Sequence, residues 1–258
     1  MPELPRRWLV FIALFSMACG GARSAPPATA PPPATAAPAI ASPVAAAPPA
    51  RDSDAIRWVR DAAEYRAAVM QVYRQATARV EAEAAARKAG TWAVVLDADE
   101  TVISNLTYQV ERSRAGLAYS PESWREWVSR RAATPLPGAA AFLARVHDLG
   151  GRIAIVTNRL QSECEDTIAV FRLHALQYDA VLCRSAGGPS DKNPRFEAVA
   201  AGQTTTGAGP LAVVAFVGDN ILDFPRASQA SARENAAILD AFGVRFFVIP
   251  NPMYGSSQ

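Results

Sequence analysis

Apolar runs of strand length alternate with helical stretches along most of this 258-residue chain after residue 90. The runs are almost continuously apolar and are bounded by turn residues, which is typical of strands buried on both faces of a parallel sheet. The pattern therefore predicts an α/β fold with a mostly parallel sheet flanked by helices. The predicted strands are 92–97, 152–157, 180–183, 212–218 and 244–249, and the predicted helices are 54–88 (one helix, or two broken near the middle), 121–131, 138–149, 161–174, 192–200 and 230–242.

Length and charge narrow the classes of protein that remain. Half of the residues are apolar, so a chain of this size can bury one substantial core, and a single α/β domain is usual. The net charge is only +2, with acidic and basic residues interspersed. No basic face indicates a nucleic-acid partner, and the sequence leaves the oligomeric state open.

The first 50 residues have a different character from the rest. Arg6 and Arg7 precede an apolar run at 8–18. This run is too short to cross a bilayer, which takes roughly 20 residues, but it suits an export signal. We therefore expect residues 1–18 to be a signal peptide and the protein to be exported.

The residues around Cys19 resemble the end of a bacterial lipoprotein signal, where a small residue precedes a cysteine that becomes lipidated and N-terminal. Such a diacylated cysteine provides stable anchoring. The alternatives are an ordinary signal peptide cleaved nearby or a buried cysteine. The Pro- and Ala-rich stretch that follows predicts an extended tether, so that 19–50 is the lipidated cysteine with its tether and 51–258 is the folded domain.

Carboxylates, a hydroxyl and a lysine follow the predicted strands. The strand ends read "LDADET" (96–101), "IVTNR" (155–159) and "VGDNILDF" (217–224), and "SDKNPR" (190–195) lies in the loop between the last two. Ligands of parallel α/β sheets gather at the carboxyl ends of the strands. Asp97 and Asp219 at neighbouring strand ends can therefore share Mg²⁺, with water completing its octahedron.

These residue types are those that phosphoryl transfer requires. Lys192 and a metal ion neutralise the transferring oxygens, and Thr157 donates a hydrogen bond. Asp97 can attack phosphorus, while Asp99 protonates the leaving group and then activates water. Residues i and i+2 of an extended segment face the same side, which places both carboxylates near one phosphorus.

Four motifs together resemble those of the haloacid-dehalogenase-like (HAD) phosphatases: "DADET", "TNR", "SDK" and "GDNILD". Their flanks, "SNLTYQ", "SPESWREWV", "PLPGA" and "IPNPMYGS", are similar to the lipoprotein e(P4)-like class C acid phosphatases of subfamily IIIB, over residues 61–256. The resemblance implies a HAD-like Rossmannoid sheet with a small helical cap within 98–150. At Ser104 and Thr107 the chain departs from the usual "DNSPYQ", which affects only the finer fit of the substrate.

The resemblance also implies a role for each site residue. Asp97 is the nucleophile and a metal ligand, and Asp99 is the general acid and base and a ligand through its carbonyl oxygen. The phosphate-binding residues are Thr157, Asn158 and Lys192. Asp219 completes the protein ligands of the metal, and Asp223 orients the metal through water. Four aromatic residues are either core residues or a wall for the leaving group: Tyr108, Trp124, Trp127 and Tyr254.

Other phosphatase chemistries do not match the sequence. Neither His147 nor His174 lies in an Arg-His-Gly context, no cysteine is followed six residues later by arginine, and two histidines are too few for a dinuclear zinc site. Cys164 and Cys183 are both placed toward the same carboxyl edge of one βαβ unit, so they can form a disulfide. The alternative is that they stay apart as buried residues, because a helix packs about 10 Å above its sheet.

The sequence thus predicts an Mg²⁺-dependent phosphomonoester hydrolase, an acid phosphatase with 5′-nucleotides among its candidate substrates. We expect it at the bacterial cell envelope as a lipoprotein, in the outer membrane and facing the periplasm or the surface. Two alternatives remain: a non-catalytic surface lipoprotein that binds a ligand or partner, and a phosphotransferase that passes the phosphoryl group to an alcohol. A second carboxylate at Asp99 argues against mere binding.

Overall fold

The computed structural model describes residues 51–204 and 209–256. The predicted signal peptide (1–18), Cys19 and the tether (19–50) lie outside the described residues. Within the described ranges, none of the helices combines the length and the apolar character needed to cross a bilayer.

Five parallel strands form the central sheet, and a separate pair of short strands is antiparallel. The strands in chain order are β1 (Trp92–Leu96), β2 (Ile103–Ser104), β3 (Thr134–Pro135), β4 (Arg152–Leu160), β5 (Ala180–Arg184), β6 (Ala212–Gly218) and β7 (Phe246–Val248). The sheet has the order β5-β4-β1-β6-β7, and β2 pairs with β3. Leu96 at the end of β1 pairs with Ile155 of β4 and Val217 of β6, so these strand ends meet at one edge.

Helices cover both faces of the sheet. They are α1 (Asp54–Asp61), α2 (Ala63–Ala85), α3 (Leu106–Arg114), α4 (Pro121–Ser129), α5 (Ala139–Asp148), α6 (Cys164–Leu173), α7 (Asn193–Ala200), α8 (Gln229–Glu234) and α9 (Ala236–Leu239), with 3₁₀ turns at Gln161–Glu163 and Ile221–Asp223. All five residues of β1 are buried, because the strand lies between two apolar layers. The predicted α/β class is confirmed.

The two faces of the sheet carry separate apolar cores. The larger core packs Val94 and Leu96 of β1 beneath α2 and α5, with Phe142 among its buried residues. The smaller core packs Ala93 and Val95 of the same strand against the α7 side. Alternate residues of β1 thus face opposite cores, which fixes the register of the central strand.

The segment between β1 and α5 contains β2, α3, α4 and β3, and it is the region predicted to include a small cap. Ser120 caps α4 by accepting a hydrogen bond from the N–H of Ser123, while the Ser123 side chain accepts from the Ser120 N–H. Helix α3 was not predicted, because its sequence, "LTYQVERSR", has no regular apolar spacing.

Two helix predictions were wrong in detail. The break in the N-terminal helix lies at Ala62, near its start and not near its middle, because Ala62 is extended (φ −80°, ψ 126°). The predicted helix at 230–242 is instead α8 and α9, separated by Asn235, whose extended backbone and side chain cap the second helix.

Cys164 and Cys183 form a disulfide with their Cα atoms 5.9 Å apart. Cys164 is the first residue of α6, directly after the 3₁₀ turn that leaves β4, and Cys183 lies in the neighbouring strand β5. Cys164 is closer to the sheet than the usual separation of about 10 Å between a helix and its sheet, because β4 ends only four residues earlier, at Leu160.

Candidate active site

Asp97 follows the last residue of β1 at the carboxyl edge of the sheet. Its backbone N–H donates to the carbonyl of Val217 at 3.0 Å, which continues the pairing with β6 past the end of the strand. Its carboxylate is buried and accepts a hydrogen bond from Lys192 Nζ at 2.5 Å. The nucleophile predicted from the sequence is therefore held by both backbone and side chain.

Lys192 connects two of the predicted site carboxylates. It lies directly before α7, and its Nζ donates to Asp223 Oδ1 at 2.6 Å as well as to Asp97. The lysine side chain is only 3% exposed. Asp223 packs directly against Gly218, and only glycine leaves room for it there, since a Cβ at position 218 would lie 2.3 Å from the Cβ of Asp223.

Three carboxylates lie close enough together to share one cation. One oxygen from each of Asp97, Asp219 and Asp223 falls within 4.8 Å of the other two. Asp219 is further fixed by Asn251 Nδ2, which donates to its Oδ2 at 2.8 Å, and by Thr101 Oγ1 at 3.3 Å from its Oδ1. An all-oxygen set of this kind suits a hard divalent cation, and the residues present therefore fit a metal ion.

The electrostatics of the cluster indicate a shortage of positive charge. Burial raises the pKa of Asp97 to about 7 against the opposing effect of Lys192, and the charges of Asp223 and Asp99 add to the rise. Burial, with the charges of Asp223 and Asp97, also raises the pKa of Asp219 well above its ordinary value. Grouped carboxylates resist ionisation together, and a bound cation would relieve that repulsion.

Asp99 is not a member of the three-carboxylate cluster and has other partners. Its Oδ1 accepts from Arg159 Nη2 at 2.7 Å and from Asn105 Nδ2 at 2.8 Å. The Asp99 side chain is 17% exposed and lines the same cavity as Asp97. The structure thus brings both predicted catalytic carboxylates to one cavity but gives them different partners.

The predicted phosphate-binding residues Thr157 and Asn158 lie at the end of β4. Thr157 is fully buried, and its Oγ1 accepts from the N–H of Arg159 at 3.1 Å. Asn158 lines the cavity, donates to the carbonyl of Ser190 at 3.0 Å and accepts from Arg195 Nη2 at 2.6 Å. Arg195 therefore ties the β4 end to the start of α7, beside Lys192.

A cavity of about 510 Å³ opens above these side chains. Of the four predicted aromatic residues, Trp124 and Tyr254 line it. Of the two alternatives left open for Tyr108 and Trp127, the structure favours core residues and not the wall, because both are only 2% exposed and pack behind the wall. Tyr108 packs edge-on to Trp124 with ring centroids 5.3 Å apart, so it supports the wall from within the core.

Several residues at the site had no role in the sequence prediction. Arg159 and Asn105 bind Asp99, and Tyr119, which is 64% exposed, lines the cavity. Glu100 is buried with a positive φ of 52°, accepts from the Asn105 N–H and also accepts from the hydroxyl of Tyr254. Burial and the charge of Asp99 raise the pKa of Glu100 to about 8, although the hydrogen bonds from Asn105 oppose the rise.

The parallel sheet places a buried lysine between carboxylates at its carboxyl edge, an arrangement that suits phosphoryl transfer. Residues 37–257 match the family described as HAD superfamily, subfamily IIIB (Acid phosphatase), and the chain belongs to that family. It is therefore a phosphomonoesterase, as the sequence motifs predicted. Enzymes of this superfamily use a divalent metal, which agrees with the carboxylate cluster.

Solved structures of acid phosphatases are among those similar to this chain. The Class C acid phosphatase from Bacillus anthracis shares 30% identity, with a TM-score of 0.68 over 78% of this chain and 84% of that one. The same kind of enzyme from Bacillus anthracis with tungstate bound shares 29% identity, with a TM-score of 0.67 over 78% of this chain and 84% of that one.

Proposed function

We propose that this acid phosphatase depends on Mg²⁺ and works through an aspartyl phosphate formed on Asp97. The observation that carries the proposal is the position of Asp97, whose buried carboxylate contacts Lys192 and lies within 4.8 Å of Asp219 and Asp223. Oxygen ligands in a small cluster favour Mg²⁺ over softer metals. Bound there, the ion supplies charge neutralisation for the transferring phosphoryl group. Asp97 and Asp219 would hold it directly, with the carbonyl of Asp99, and Asp223 would orient it through water.

The chemistry then divides between two carboxylates. An oxygen of Asp97 forms a bond to phosphorus as the ester P–O bond breaks, and the leaving oxygen takes the electron pair and a proton from Asp99. In the second half, Asp99 accepts a proton from water as the water oxygen attacks phosphorus. Inorganic phosphate leaves, and Asp97 returns as a carboxylate. Lys192, Thr157 and Asn158 would bind the phosphoryl oxygens throughout.

We propose 5′-nucleotides as the candidate substrates. The cavity has both a polar floor, which includes Asp97 and Lys192, and an aromatic side formed by Tyr119, Trp124 and Tyr254. Aromatic side chains stack on planar rings in offset or edge-to-face arrangements. A phosphate on the floor with a nucleobase against the aromatic side would use both parts of the cavity.

We further propose that the enzyme is a lipoprotein of the bacterial envelope, held by Cys19 in the outer membrane. The support is the sequence pattern alone: a basic start, an apolar run at 8–18, a small residue before Cys19 and a Pro- and Ala-rich tether. An anchored phosphatase would act on esters in the periplasm or outside the cell.

A phosphate-release screen over nucleotides, sugar phosphates and aryl phosphates, with and without a chelator, tests the proposed function. We expect chelator to abolish release and added Mg²⁺ to restore it, with 5′-nucleotides among the best substrates. Release that is unaffected by chelator would contradict the metal requirement. An added alcohol that captured most of the phosphate would favour the phosphotransferase alternative.

Substitution of Asp97 tests the nucleophile. Asp97→Asn should abolish turnover and keep the fold, because an amide fills the space of the carboxylate but does not attack phosphorus. Asp148→Asn is the matched control, since Asp148 is exposed at the end of α5 and should leave turnover unchanged. Substantial activity in the Asp97 variant would exclude Asp97 as nucleophile.

A further inference from the structure

Arg159 is a buried arginine to which the proposed chemistry assigns no step. Arg159 is the eighth of the nine residues of β4 and directly follows Asn158, and its side chain is 1% exposed. Its guanidinium faces Asp99, with Nη2 at 2.7 Å from Oδ1 and Nε at 3.0 Å from the same oxygen. An arginine in this geometry fixes the plane of a carboxylate, because its N–H groups are rigidly coplanar.

The two oxygens of Asp99 are held very differently. Oδ1 accepts from Arg159 Nη2, Arg159 Nε and Asn105 Nδ2, all within 3.0 Å. Among the described residues, Oδ2 accepts only from Arg159 Nε, at 3.1 Å and shared with Oδ1. Three donors occupy the lone pairs of Oδ1, so Oδ2 is the oxygen that retains room for a proton.

Arg159 and Asn105, which bind Asp99, are themselves held by further hydrogen bonds. Arg159 Nη1 donates to Thr167 Oγ1 on α6 at 3.2 Å, and Arg159 Nη2 donates to Asn105 Oδ1 at 3.1 Å. Trp127 Nε1 donates to the same Asn105 oxygen at 2.7 Å. These partners hold the Arg159 side chain in one orientation, and its hydrogen bonds to Asp99 therefore hold the carboxylate in one orientation too.

We propose that Arg159 is a positioning residue that anchors Asp99 through Oδ1 and thereby assigns proton transfer to Oδ2. The proposal rests on the proposed function, in which Asp99 is the general acid and base. In the first half-reaction the proton on Oδ2 goes to the leaving oxygen as its bond to phosphorus breaks. In the second, Oδ2 takes a proton from the attacking water. Oδ1 stays bound to Arg159 and Asn105 in both.

A structural role or a phosphate-binding role for Arg159 would have different consequences. An arginine that only balanced buried charge would be replaced adequately by lysine. An arginine that bound the phosphoryl group would affect every ester alike, because the phosphoryl group is common to all of them. A positioning role for the general acid instead affects esters in proportion to their need for a proton on the leaving oxygen.

Two esters that share an aromatic ring separate these roles. 4-Nitrophenyl phosphate has a leaving group that departs readily without a proton, whereas the alkoxide of 2-phenylethyl phosphate requires one. We compare kcat/KM for both esters in the Mg²⁺-loaded wild type and in Arg159→Lys, Arg159→Gln and Asp99→Asn. Arg131→Lys is the matched control, because Arg131 pairs with Asp166 of α6 at the surface. Thermal unfolding and inhibition by inorganic phosphate are measured for each protein.

We expect both Arg159 variants to lose about 100-fold in kcat/KM for 2-phenylethyl phosphate and less than about tenfold for 4-nitrophenyl phosphate, the effect of a misplaced catalytic group. Phosphate inhibition should stay within about twofold of wild type, and Arg131→Lys should match wild type on both esters. Arg159→Lys keeps the positive charge but not the coplanar N–H groups of the guanidinium. A selective loss of activity on 2-phenylethyl phosphate in a folded lysine variant therefore supports the positioning of Asp99 by Arg159.

Equal losses on both esters, weakened phosphate inhibition, or full activity in Arg159→Lys would overturn the proposal. Asp99→Asn separates this failure from that of the proposed function. If Asp99→Asn selectively loses activity on 2-phenylethyl phosphate and the Arg159 variants do not, the positioning role of Arg159 is wrong but the general-acid role of Asp99 stands. If Asp99→Asn shows no selective loss, the general-acid role itself is wrong.

Discussion

Replacing Lys192 by methionine should destabilise the metal-free enzyme and make its stability depend more strongly on Mg²⁺. Lys192 Nζ lies 2.5 Å from Asp97 Oδ1 and 2.6 Å from Asp223 Oδ1, with all three side chains less than 10% exposed. Methionine keeps the length of the side chain but leaves two buried carboxylates without their cation. Breaking a buried ion pair by removing one partner costs about 3 to 5 kcal/mol.

For a domain of this size, such a loss corresponds to a fall of about 6 to 20 °C in the unfolding temperature. We expect urea unfolding in chelator to report the loss at pH 8, above the pKa of about 7 that burial gives Asp97. The loss should shrink at pH 5. Without Lys192 the pKa of Asp97 rises further above its unfolded value, so the folded state binds extra protons at low pH, and stability falls as the pH rises.

Mg²⁺ should restore more stability to the Lys192→Met variant than to wild type, because the carboxylate cluster has lost its internal cation. Lys88→Met is the matched control, since Lys88 is the only other lysine of the chain and is exposed. A loss of less than about 1 kcal/mol at pH 8, or an equal loss in Lys88→Met, would refute the role of Lys192 in holding the cluster together.

Asp219→Ala should raise the Mg²⁺ concentration needed for half-maximal activity, because one oxygen ligand is lost; an unchanged requirement would exclude Asp219 as a ligand. Cys19→Ser should release the enzyme from membranes in cell fractionation, and a variant that stays bound would contradict the lipid anchor. Reducing the Cys164–Cys183 bond, which closes a loop of 19 residues, should lower the free energy of unfolding by about 3 kcal/mol. Thiol titration of denatured, unreduced Cys19→Ser monomer should find no free thiol, and two free thiols would contradict the disulfide.

The sheet and the motif residues were predictable from the sequence because their signals are local. A run such as β6 is apolar from Ala212 to Val217 and ends on Gly218. The continuous apolar run identifies the strand, and the glycine identifies its end. The convergence of Asp97, Asp219 and Lys192 then followed from a general property of parallel sheets, that their carboxyl ends share one edge.

The support around Asp99 was not predictable, because it depends on contacts between distant segments. Asn105 lies in a region without apolar periodicity, and its partners Arg159 and Trp127 are 54 and 22 residues away. Nothing in the sequence distinguishes Trp127, which faces inward to Asn105, from Trp124, which lines the cavity. That difference arises only when α4 packs, since residues three apart on a helix lie on neighbouring but not identical faces.

The central place of β1 in the sheet has a consequence for how the enzyme folds. Its two neighbours, β4 and β6, follow it by roughly 60 and 120 residues, so both pairings close long loops before they gain any contact. During synthesis, Asp97 leaves the ribosome well before Lys192 and Asp219. The proposed nucleophile therefore remains without its partners until most of the chain has been made, and the candidate active site forms among the last parts of the protein.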